Sequence, residues 1–112
     1  MYFRTEKIRS FTRMAGYVIA NVVWKDSESL AVYKRLMPSS VEKYGGRFLI
    51  RGGAMEVLEG EWSPALVVIE FSTVERARQW YCSEEYRPAL EIRQRAADNE
   101  LLIVEGTAPP AL

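Results

Sequence analysis

Tyr44, Gly45, Gly46, Arg47, Phe48, Leu49, Ile50, Arg51, Gly52, Gly53: two glycine pairs bracket a short apolar run, and the rest of the chain is read outward from them. A glycine pair marks backbone that other residues follow with difficulty, such as a left-handed cap, a bulge or a sharp bend. Upstream, Leu30, Tyr33, Met37, Val41 and Tyr44 recur at steps of three and four, so Gly45 ends a helix as its left-handed cap. Gly46 to Ile50 then opens a strand, Gly52 and Gly53 bend or bulge it, and Met55 to Leu58 resume extended structure. The whole reads as a bent edge strand. It is not a phosphate loop, because it follows a helix instead of opening one and matches neither glycine-rich nucleotide motif.

Before the helix, Tyr17 to Trp24 is β-branched and aromatic on both alternating faces apart from Asn21, the pattern of a strand covered on two sides. Asp26 or Ser27 supplies the helix N-cap, and Pro38 predicts a kink or restart, since the apolar stripe keeps its phase across it. After the glycines, the stretch from Glu59 to Pro64 reads as a turn and Ala65 to Phe71 as a third strand whose sole charge is Glu70. Ser72 and Glu75 have capping-box spacing for a second helix, which restarts at Ser83 and carries Tyr86, Ala89, Leu90, Arg93 and Ala97. Leu101 to Val104 form the last strand, ahead of a tail at 108–112.

The order β-α-β-β-α-β predicts an α+β, ferredoxin-like sandwich: one antiparallel sheet with two helices on one face, in a single domain over 14–107. Strands one, three and four are apolar at both parities, so the other sheet face needs a cover, and a second copy of the chain is the simplest one. Residues 1–13, with Arg4, Lys7, Arg9 and Arg13 against Glu6, read as an N-terminal extension outside the fold.

Composition narrows the function classes. The 112 residues carry no net formal charge, which argues against a dedicated nucleic-acid binder. No apolar run approaches the roughly 18 to 20 residues of a membrane span, and the lone Cys82 excludes an intramolecular disulfide. A cytoplasmic protein fits both. The chain contains no histidine, so Ser-His and Cys-His pairs, histidine bases and histidine metal sites cannot be built from it. No metal and no cofactor is expected.

The glycine segment, Glu59 and Gly60, Val68 to Phe71, Trp80, Tyr81, Ser83, Glu85, Tyr86, and Glu105 with Gly106 together resemble domain-of-unknown-function family thirteen-thirty over residues 15 to 106. This uncharacterised bacterial family belongs to the dimeric α/β-barrel superfamily. The resemblance implies a ferredoxin-like fold and a homodimer, and it carries no established activity. Residues 1–13 lie outside the pattern, and Cys82 stands where the family is more often polar.

The remaining chemistry rests on Arg51, Glu70, Asn21 and Arg47. In one reading Arg51 anchors a carboxylate-bearing or enolic small molecule, Glu70 accepts a proton, Asn21 orients the ligand and Arg47 reaches the pocket. The chain would then be a small-molecule-binding dimer or a cofactor-independent enzyme. In the other, Arg51 and Glu70 form a structural ion pair in a non-catalytic dimer. Parity places Glu70 with Leu66 and Val68 on the face turned away from the helices. Tyr33, Tyr44 and Tyr86 read as core on helical stripes.

Overall fold

The computed structural model describes residues 13–111. The expected extension therefore lies, apart from Arg13, outside the described residues. The elements run β1 (Gly16–Trp24), α1 (Ser27–Lys43), β2 (Arg47–Arg51), β3 (Leu66–Phe71), α2 (Val74–Tyr81), α3 (Arg87–Ala96) and β4 (Ala97–Glu105). The strands form one sheet in the order β2-β3-β1-β4, every pairing antiparallel. This is the α+β, ferredoxin-like arrangement expected from the order of elements.

Asp26 caps α1 by accepting from the Ser29 amide at 2.7 Å. The helix runs through Pro38 as one element, and its last turn closes at Tyr44. Gly45 follows with φ +77°, a conformation that favours glycine. Gly46 is needed for space, because a Cβ there would stand 2.7 Å from the Phe71 ring.

Two local expectations are corrected. The second helix begins from Thr73, whose hydroxyl accepts from the Arg76 amide at 3.0 Å, so the cap lies one residue beyond Ser72. At the restart expected around Ser83 the helix divides into two elements, α2 and α3. Between them Ser83 donates to the Trp80 carbonyl and accepts from the Tyr86 amide, making the joint a built corner. The edge-strand irregularity falls between Phe48 and Ile50, before Gly52, and residues 53–65 form an irregular arm in place of a resumed strand at Met55 to Leu58.

All three helices bury their apolar sides against the same sheet face. Val18, Ile69 and Phe71 from the strands meet Met37, Val41, Ala77, Trp80 and Ala89 from the helices. Trp80 lies at the centre, with its ring 4.1 Å from that of Tyr86 and its indole N–H donating to Ser40 Oγ at 3.0 Å. On the opposite face no helix of the described residues packs, and Ile50, Leu102 and Val104 are exposed. Residues 106–111 fold back beside the start of β1, where Gly106 donates to the Ala15 carbonyl and Ala15 donates to that of Ala108. Among the described residues no helix is long and apolar enough to cross a membrane.

Candidate functional site

The parity of the strands distributes the four expected site residues between two faces. Glu70 lies on the open face, paired in register with Tyr17 of β1 and Arg47 of β2. Its carboxylate is buried, receiving Arg47 Nε at 3.0 Å, the Tyr17 hydroxyl at 3.1 Å and the Ala111 amide at 3.3 Å. Burial pushes the Glu70 carboxyl up, but these donors outweigh it and hold it below the usual carboxylate range. A carboxylate so engaged is a structural anion. Its ion-pair partner is Arg47, which corrects the expected pairing with Arg51.

Asn21 is also engaged. Its amide donates to the Ser63 carbonyl at 2.9 Å and accepts from the Ser63 amide at 3.0 Å, while Ser63 Oγ donates to the Val22 carbonyl. This clamp ties the end of the arm to β1. Asn21 was expected to orient a ligand, and both ends of its side chain are spent on backbone instead.

Arg51 faces the other way. The irregularity in β2 shifts its register so that Arg51 pairs with Val67, a residue of the helix-side face. Its guanidinium lies 4.5 Å from the Phe48 ring centroid and forms no ion pair among the described residues. There it borders a cavity of about 330 Å³ between the sheet and α1. Val18, Ala20 and Val22 of β1 form the cavity floor, and their small side chains leave room that larger ones would fill. Leu30, Tyr33 and Met37 of α1 form its roof. The size falls in the range of small-molecule sites, roughly 300 to 1,000 Å³.

The electrostatics of this cavity are one-sided. Among the described residues Arg51, Lys34 and Arg93 line it, whereas no carboxylate, carboxamide or aliphatic hydroxyl does. Arg51 and Lys34 are exposed at the rim, and Arg93 is only 3% exposed, within the wall. Arg93 donates through Nε to the Tyr86 hydroxyl at 3.2 Å and through Nη1 to Asn99 Oδ1 at 2.8 Å. No carboxylate of the described residues forms an ion pair with it. A guanidinium keeps its charge when buried, so the wall carries a positive potential without a counter-ion among the described residues. From the sequence, Tyr33 and Tyr86 were expected in the core and Arg93 only on the helical stripe that carries Tyr86. The available signal was a charge, Arg93, on the apolar stripe of α3.

Among the described residues no group of three or more His, Cys, Asp or Glu is placed to hold a metal. Cys82 is exposed and closes α2.

Comparison with known proteins agrees with this architecture. A family model described as Domain of unknown function (DUF1330) matches residues 15–107. The crystal structure of RPA0582, a protein of unknown function from Rhodopseudomonas palustris, superposes with a TM-score of 0.69 at 21% identity, covering 97% of this chain and 95% of that one. A crystal structure of methylated RPA0582 gives 0.68 at 20% identity, over 97% and 93%. These likenesses establish the fold. No curated protein matches the sequence.

Proposed function

The chain belongs to the DUF1330 family, and from that premise we propose that it binds a small molecule with an apolar body and a carboxylate or enolate head, held in the cavity between the sheet and α1. One observation carries this reading: an apolar cavity of ligand size whose charged lining is entirely cationic. Arg51 is the anchor. Its planar fork suits a carboxylate, and the rim position lets the charge stay hydrated until a ligand arrives.

A binding role is favoured over catalysis by the absence of a carboxylate or histidine from the cavity lining, which leaves no evident base there. Glu70, the candidate proton acceptor, sits across the sheet from it. The apolar residues exposed on that open face support association of two copies through it, burying on the order of 1,600 Å² if the contact is of ordinary size.

The test is a thermal-shift screen with small aryl carboxylates such as 4-phenylbutanoate. Stabilisation of the wild type that is abolished in Arg51→Ala is the expected outcome. Equal shifts in the two proteins would overturn the assignment of Arg51. For the dimer, light scattering at micromolar concentration should give the mass of two chains, and a one-chain mass would rule it out.

A further inference from the structure

The hydroxyls beside Arg93 can be followed proton by proton. Tyr86 is fully buried, its oxygen accepts from Arg93 Nε, and its hydroxyl lies 2.8 Å from that of Tyr33. Among the described residues the Tyr86 proton has no acceptor but the Tyr33 oxygen, and a buried hydroxyl proton left unbonded is costly. Tyr86 therefore donates to Tyr33. The Tyr33 proton is then left over, since its other neighbour, the Arg93 guanidinium, can only donate and no further acceptor for it is found among the described residues, and Tyr33 lines the cavity. Burial, followed by the neighbouring Tyr86, pushes the Tyr33 phenol up, so it keeps that proton at neutral pH.

Guanidinium, phenol and phenol thus form a chain in which each donor polarises the next, ending on one unspent O–H. The cavity has two separate donor stations: the exposed Arg51 and Lys34 at its rim, and this relay within its wall. A ligand with a single acid head would use only one.

We infer that Tyr33 is a second recognition group, donating to a carbonyl or enolate oxygen of an apolar oxo-acid whose carboxylate is held by Arg51. This rests on the cavity reading above and narrows its ligand class. Arg93 and Tyr86 act as positioning residues, since they fix the direction of the Tyr33 proton and favour negative charge on the oxygen it meets. Trp24, its ring 5.1 Å from that of Tyr33, also lines the cavity and offers an apolar wall to the body of the ligand.

Isothermal titration with two probes tests this, 4-oxo-4-phenylbutanoate and 4-phenylbutanoate, which differ only in the ketone. The wild type should bind the oxo-acid about tenfold more tightly, the worth of one ordinary buried hydrogen bond. Tyr33→Phe should remove that preference, with circular dichroism confirming the fold, whereas Arg51→Ala should weaken both acids alike. Equal wild-type affinity for the two acids would overturn the inference while leaving the cavity reading intact. A preference that persists in Tyr33→Phe would also overturn it. Binding of neither acid would remove the cavity reading for this ligand class, and the inference with it. The wild-type comparison needs no mutation, so the proposal stays falsifiable even if Tyr33→Phe misfolds.

Discussion

The two faces of the sheet are built from the same strands and differ in how they treat charge. On the open face Glu70 is surrounded by donors, namely Arg47, Tyr17 and the Ala111 amide, and its charge is fully answered. On the helix face Arg93 is just as buried, yet it meets only neutral phenols and an amide, and beside it lies a cavity. The contrast separates a charge answered within the fold from one that has no counter-ion among the described residues. A paired ion leaves nothing for a ligand to answer, whereas an unpaired cation beside a space favours an opposite charge there, which is the basis of the binding proposal.

If the helix face carries the stability, removing its centre should have the largest effect. Trp80→Ala deletes a ring packed on Phe71 and Tyr86 together with a hydrogen bond to Ser40, and is expected to cost about 3–5 kcal/mol. Urea denaturation would measure it, and a loss below 1 kcal/mol, on the order of an exposed substitution, would break the comparison.

Glu70→Gln tests the open face next. It leaves Arg47 without its partner and should cost about 1–3 kcal/mol at neutral pH, less than a fully enclosed pair because Arg47 is half exposed. The pH profile sharpens the assignment. Because the folded Glu70 carboxyl titrates below its unfolded value, its contribution is complete above about pH 4.5 and is lost as pH falls through the lowered value. Glu85, held at about 2 chiefly by Lys43, then by its own backbone and Tyr44, adds to the same acid loss. Wild-type stability should therefore decline between about pH 4.5 and 2, and Glu70→Gln should flatten that decline. A mutant profile parallel to that of the wild type would remove Glu70 from it.

The smallest expected effect on the single chain is at the exposed edge. Leu102→Lys, at a position 52% exposed, should change the stability of one chain by less than about 0.5 kcal/mol, while lowering the light-scattering mass from two chains to one. An unchanged mass would place any association elsewhere.

Much of the fold was legible because it is periodic. The unbroken β-branched and apolar runs of Tyr17 to Trp24 and of Ala65 to Phe71, and the three-four stripe ending at Tyr44, follow from backbone geometry that every strand and helix shares. The parity of Glu70 was legible for the same reason. The partner of Glu70 was not, since one irregularity between Phe48 and Ile50 exchanges the faces of the residues beyond it. That shift puts Arg51 beside the helices and leaves Arg47 beside Glu70. The arm at 53–65 escaped for a different reason: its apolar residues Met55, Val57 and Leu58 look strand-like, but no neighbouring strand pairs with them.

By itself the sequence determined the order of elements, the face on which each strand residue sits up to the first irregularity, and the absence of histidine chemistry. Those follow from local periodicity and composition. Only the tertiary structure decided that Tyr33, Tyr86 and Arg93, each an ordinary member of a helical stripe, converge on one chain of hydrogen bonds, and that small residues on β1 leave a cavity next to it. Such a site depends on packing between residues that lie tens of positions apart, and no local period records it.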